Sequence, residues 1–282
     1  RFDEEANINW ADRLEAVGAQ VVYGVVGLKT HAKLLLVTRR EADGLHRYVH
    51  LSTGNYNPRT ARLYTDLGLL SADPALAADA EAVFQQIASQ VRLRSQQRLV
   101  TAPFQLHRRL LAHLAQVTEA AAAGAPARIV AKINALTDPA VIDALLRAGQ
   151  AGARIDLIVR GACMLAPGVP GVSDNIRVRS IVGRFLEHTR IVYFRWGEGD
   201  DDEVLYLSSA DWMSRNLHRR IEVAWPIREA QLRQRVIDEA LVPYLHDEAD
   251  AWELAADGHY RRVAEQGLSA QQALLRRFAP GG

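Results

Sequence analysis

His31 stands two residues before Lys33, and Thr53-Gly54-Asn55 follows at a distance of 24 positions from His31 to Asn55. In an extended segment, residues two apart share a face, so the imidazole and the ammonium lie side by side. A neutral imidazole is a competent nucleophile near neutral pH, and a neighbouring cation helps keep it neutral. Thr53 and Asn55 add donors for non-bridging oxygens. Phosphoryl transfer asks for such a set, because it needs in-line placement and neutralised charge more than covalent invention.

The same layout returns later. His188 precedes Arg190 by two, and Ser209-Ala210-Asp211 follows, with 23 positions from His188 to Asp211. His188, Arg190 and Ser209 then repeat the roles of His31, Lys33 and Thr53. Two such units facing each other make a pseudo-twofold site, one histidine attacking and the other on the leaving-group side. Lys132 and Asn134 end an apolar run before a helix start, a place where ligands collect in α/β folds, which predicts a phosphate role for Lys132. Arg177 and Arg179 alternate on a strand and, with Arg160, Arg184 and Arg190, are expected to line a polyanion channel.

The elements that must carry these residues are also duplicated. Residues 6–17 have helical spacing and stop at Gly18; the apolar run Leu34-Leu-Leu-Val37 reads as a buried strand, and residues 39–45 as a hairpin loop. In the second unit, Thr137-Asp138-Pro139 opens a helix that Gly149 and Gly152 close, and 155–159 and 191–194 read as strands. The strand expected at 128–134 has a counterpart that would lie before Arg1, so the first unit is expected to be truncated at its amino terminus. Between the units, helices are predicted from Asp73-Pro74 and from Pro103 to Gly124. The spacing predicts two further amphipathic helices, around 228–256 and 260–278. The fold class is thus α/β, with a first domain over 1–98 and a second over 99–282, which includes the C-terminal helices.

Composition narrows the function classes. The net charge of +1 gives no bulk attraction to nucleic acid, so anions must be held by local clusters. Cys163 is the only cysteine, which excludes an internal disulfide and fits a reducing, cytoplasmic setting. No apolar run reaches the length of a membrane span, though peripheral association with a membrane is compatible with this reading. His50, two residues before Ser52, reads equally as support for the site or as strand packing. His46, His107, His113, His218, His246 and His259 read as surface residues, and the acidic run 198–203 as a solvated loop.

The His-x-Lys and Gly-x-Asn layout resembles the phospholipase D superfamily. Thr38 and Arg195 stand where that superfamily usually has aspartate, seven residues after each histidine. Longer strings are more specific. Gly27-Leu-Lys-Thr-His-Ala-Lys33, Ser52-Thr-Gly-Asn-Tyr-Asn57, Thr60-Ala-Arg-Leu-Tyr-Thr-Asp66, Ile181-Val-Gly-Arg-Phe-Leu-Glu-His188 and Leu207-Ser-Ser-Ala-Asp-Trp-Met213 resemble the two C-terminal catalytic domains of bacterial polyphosphate kinases. The resemblance implies two tandem phospholipase D-like domains. It implies reversible transfer of the terminal phosphate of ATP to polyphosphate, with magnesium and a phosphohistidine at His31. It makes His188 the second essential histidine, gives Arg160 and Tyr64 to the nucleotide site, and sets Arg1 at the metal–phosphate site. An arginine has no lone pair for a metal, so Arg1 would act through phosphate oxygens. The resemblance also implies a homo-oligomer for the full-length protein. The rival readings are a phospholipase D-like phosphodiesterase and a non-catalytic polyanion-binding fragment.

Overall fold

The computed structural model describes residues 4–89 and 96–279; Arg1 lies outside them. The helix expected at 6–17 runs Glu4–Ala16. The backbone of the second unit is a ten-stranded mixed sheet centred on Arg128–Ile133. That strand pairs in parallel with Arg154–Val159 and antiparallel with Ile191–Arg195. From Ile129 to Ile133 its side chains are buried on both faces, which is why apolar residues stand at consecutive positions there instead of alternating, with Lys132 as the charged exception. Ile129, Ala131 and Ile133 meet the helices Leu106–Ala122 and Pro139–Gln150 on one side. The second of these helices starts where Asp138 accepts the amide of Val141, with proline in the first turn.

The opposite face of the sheet is covered by the first unit. There, Leu34–Glu41, Gly44–Ser52 and Gly68–Ser71 form a three-stranded antiparallel sheet. Val49 and Leu51 of this sheet, and Leu76, Ala80 and Val83 of the helix Pro74–Ser89, share one core with Val130, Ile191, Leu205, Leu207, Val223 and Trp225. The two units are therefore not beads on a string; one apolar core sets their relative position. The run 34–37 is less buried than its sequence suggests. Leu35 and Val37 point outward at 48% and 40% exposure, while Leu34 and Leu36 pack inward.

Two very short parallel pairings stitch the units together. Lys29–Thr30 pairs with Arg220–Ile221, and Tyr64–Thr65 pairs with Leu186–Glu187. Each pairing ends at a residue with chemistry: His31 and Glu222 in the first, Asp66 and His188 in the second.

The C-terminal segment departs from the helical expectation. Helix covers Ala230–Ala240 and Val242–Leu245, after which Ala251–Leu254 and Tyr260–Arg262 form a hairpin, and helix returns at Ala270–Phe278. The physical reason is the open edge of the main sheet at Ile176–Ile181, which Ala251–Leu254 covers. Gly258, with φ of 82°, makes the turn. Among the described residues, no helix is long and apolar enough to cross a membrane.

The join between the units is held by Asp79. Its buried carboxylate accepts the backbone amides of Gln97 (3.0 Å), Arg98 (2.6 Å) and Leu99 (2.9 Å). Asp79→Ala would leave these donors without an acceptor, at an expected cost of roughly 2–3 kcal/mol. Urea denaturation checks this: the midpoint should fall markedly for Asp79→Ala, and an unchanged midpoint would mean that water replaces the carboxylate at no cost.

Candidate active site

His31 lies in the extended stretch between Lys29–Thr30 and Leu34–Glu41, where its amide and that of Ala32 both donate to the carbonyl of Ile221. Its Nδ1 is 2.9 Å from Oε2 of Glu222, a carboxylate with 0% exposure. Ser209 Oγ donates to that same oxygen at 2.6 Å. A carboxylate only accepts, so Nδ1 carries the ring proton and Nε2 keeps its lone pair. The Nε2 faces Lys33 Nζ at 2.9 Å. Burial pushes the Lys33 ammonium down to about 7, against the pull of Glu222, and Arg190 lowers it further.

His188 repeats this arrangement with the partners exchanged. Its Nδ1 is 2.8 Å from Asp66 Oδ1 of the first unit, and its Nε2 faces Arg190 Nη1 at 3.1 Å. Burial holds the His188 imidazole below its ordinary range, although the Asp66 hydrogen bond works the other way; Arg190 and Lys33 add to the lowering. Arg190 is itself fixed by a two-pronged pair with Asp211 (3.2 and 3.1 Å) and by the carbonyls of Thr53 and His188. The Tyr64 ring sits 5.1 Å from that of His188.

Asp66 and Glu222 escaped the reading of the sequence, yet a signal for them exists. Each stands eleven positions after the last residue of its motif, Asn55 or Asp211. The local geometry is duplicated too. Gly54 and Ala210 amides each donate to the serine two residues back, at 3.0 Å. Thr53 and Ser209 amides each donate across to the residue after the carboxylate, Leu67 or Val223. Both carboxylates thus grow from the same place in the repeat and cross to the histidine of the other unit.

The remaining residues singled out by sequence fall in different settings. Asn55 is exposed. The Ser209 hydroxyl is fully buried, spent on Glu222 and the Val223 amide. Arg160 is half-buried and donates to the Glu187 carbonyl at 3.0 Å. Lys132 lies under the site rather than in it: buried at 2%, 2.6 Å from Glu187 Oε2 and over the ring of Tyr244. Glu187 also accepts from Thr65 and Gln271, so this ion pair anchors the segment leading into His188. Arg177 and Arg179 do not line a channel: Arg179 is buried against the carbonyls of Tyr244, Leu245 and Asp247, and both pair with Glu253. His50 packs in its strand against Tyr56. His113, expected at the surface, is buried against Phe194, Trp196 and Tyr206.

Gly54 is where the first unit is tightest. A Cβ there would overlap the Asp66 carboxylate. Gly54→Ala must displace Asp66 from His188, at an expected cost of about 1–3 kcal/mol. Nitrogen-15 NMR of the imidazoles is the check: the His188 ring should lose its fixed Nδ1–H tautomer, and an unchanged His188 signal would show that Asp66 is not what holds it.

Known proteins resemble the chain along nearly all of its length. The model described as polyphosphate kinase C-terminal domain 1 matches residues 1–93, and that described as polyphosphate kinase C-terminal domain 2 matches residues 99–273. A curated polyphosphate kinase of Burkholderia multivorans (strain ATCC 17616 / 249) is 56% identical over 284 residues, covering 99% of this chain and 41% of that protein. One from Paraburkholderia phytofirmans (strain DSM 17436 / LMG 22146 / PsJN) is 55% identical over 287 residues, with the same coverage of 99% and 41%. The crystal structure of polyphosphate kinase from Porphyromonas gingivalis superposes with a TM-score of 0.87 at 34% identity, over 96% of this chain and 42% of that one. The chain therefore spans about two fifths of the length of the curated relatives it matches. By sequence and by structure, the chain belongs to the polyphosphate kinase family.

Proposed function

We propose that this chain carries the site at which a polyphosphate kinase moves the terminal phosphate of ATP to polyphosphate, reversibly and through a phosphohistidine at His31. The observation that carries this reading is the His31 ring: Nδ1 is tied to Glu222, and the Nε2 lone pair meets the Lys33 ammonium, which shifts to the phosphate as Nε2 attacks. In the forward direction, Nε2 forms a bond to the γ-phosphorus as the bond from phosphorus to the ADP oxygen breaks, and ADP leaves. The terminal oxygen of a polyphosphate chain then attacks the phosphorus, and the N–P bond breaks. The Lys33 ammonium neutralises the transferred group, and the charge that grows on Nδ1–H is met by Glu222. His188 and Arg190 stand on the leaving-group side, with Tyr64 and Arg160 flanking the nucleotide. Asn55, which is exposed, would donate to a phosphate oxygen.

Magnesium enters this reading with the nucleotide. Among the described residues, the carboxylates of the site are already committed: Asp66 to His188, Asp211 to Arg190, Glu222 to His31. A hard cation that wants an oxygen shell finds no free carboxylate cage there. It would ride on phosphate oxygens, and Arg1 would meet it only through them. ATP, ADP and polyphosphate are the partners in this reading, nucleic acid is not, and a cytoplasmic homo-oligomer is the proposed setting.

Two measurements test the proposal, both in a chimera in which this chain replaces the matching segment of the Burkholderia multivorans enzyme. Incubation with γ-labelled ATP should leave an acid-labile, alkali-stable label that disappears in His31→Ala. Label surviving that substitution, or turnover of a phosphodiester without any use of ATP, would sink the assignment. The pH dependence follows from Lys33. Its ammonium is present below about 7 and lost above, so kcat/KM should fall as pH rises through that value. Lys33→Arg keeps a cation at all these pH values and should remove the fall; an identical profile in Lys33→Arg would assign the limb to another group.

A further inference from the structure

A second cluster of metal-capable side chains lies away from the two catalytic histidines. His107 is in the first turn of the helix Leu106–Ala122, Asp138 caps the helix Pro139–Gln150, and His218 is in the last turn of the helix Ser214–Arg219. His107 Nε2 is 3.2 Å from Asp138 Oδ1, and His218 Nε2 is 3.7 Å from Asp138 Oδ2. The three ligand atoms all lie within 4.8 Å of one another. Metal–nitrogen and metal–oxygen bonds near 2.0–2.1 Å in a tetrahedron place ligand atoms about 3.4 Å apart, and the two imidazole–carboxylate contacts of 3.2 and 3.7 Å bracket that spacing.

We propose that His107, Asp138 and His218 form a binding site for one divalent transition ion of the zinc class. Two imidazoles and one carboxylate are the ligand set that zinc, cobalt and nickel favour, and magnesium, which demands oxygen, does not. Three protein ligands leave a fourth position for water. The carboxylate is oriented before any ion arrives: Ser214 Oγ donates to Oδ2 at 2.7 Å and the Val141 amide to Oδ1 at 3.2 Å. The two rings pack edge to face, 4.5 Å between centroids, with both Nε2 atoms turned to the one carboxylate.

The site also has a structural reach. The amides of Thr137 and Asp138 both donate to the carbonyl of Trp212, the residue next to Asp211, which grips Arg190. An ion here ties three helices and the loop that positions Arg190 into one unit.

The test is titration of the whole chain with Co2+, read by visible absorption, followed by competition with Zn2+. One equivalent should bind and give the spectrum of a four-coordinate ion. His218→Ala and His107→Ala should each weaken binding by at least about tenfold. His218 is half exposed, so its loss spares the fold, and circular dichroism confirms that. His46→Ala, which alters the separate Glu41, Asp43 and His46 group, should change nothing. Absence of a saturable single equivalent, equal affinity in His218→Ala, or loss that follows His31→Ala and His188→Ala instead would overturn the proposal.

Discussion

Everything at the candidate site depends on a crossing. Each histidine is fixed by a carboxylate from the other unit, 2.9 Å for His31 to Glu222 and 2.8 Å for His188 to Asp66. Without its carboxylate an imidazole has two tautomers and a free rotation, and its lone pair points nowhere in particular. The crossing is possible only because two-residue parallel pairings bring each carboxylate alongside the foreign histidine, and because one apolar core holds the two sheets face to face. Packing therefore sets the chemistry: slip either pairing by one residue and the side chain turns to the opposite face.

Around this crossing the protein buries several charges. Arg190 with Asp211 and Lys132 with Glu187 are nearly dry pairs, and the Lys33 ammonium has Glu222 and Asp211 to set against its desolvation. Burying an ion pair brings little net stability, yet removing one partner costs roughly 3–5 kcal/mol because the other charge is stranded. These pairs are better understood as positional devices. Lys132 and Glu187 hold the approach to His188 from below, and Gln271 of the last helix joins them. The C-terminal helix thus contributes to the placement of a residue more than eighty positions earlier.

Much of this was readable in the sequence, for identifiable reasons. The duplicated motifs around His31 and His188 are local strings with near-equal spacing. The helix starts at Asp73-Pro74 and Asp138-Pro139 are capping chemistry, which is also local. The crossing carboxylates were not read, because their targets lie 122 and 191 residues away and nothing local marks Asp66 or Glu222 as special. Their common offset from Asn55 and Asp211 becomes meaningful only once the repeat is overlaid on itself. Long cations misled for a related reason: Lys132 and Arg179 look like ligands for phosphate until Glu187 and a set of carbonyls are seen behind them. The hairpin after residue 250 is hidden from local spacing because its strand covers an edge made by residues some seventy positions earlier.

The two halves of the repeat are not identical, and the difference at Gly54 carries a consequence for how such a site can vary over time. The first unit combines glycine with the shorter Asp66; the second combines Ala210 with the longer Glu222. In the first unit the Asp66 carboxylate fills the space that a Cβ at residue 54 would take, so any side chain added there evicts it. In the second unit Ala210 already carries a Cβ while Glu222 still reaches His31. The first half of the repeat is therefore the less forgiving of the two, since one of its positions accepts only the smallest residue.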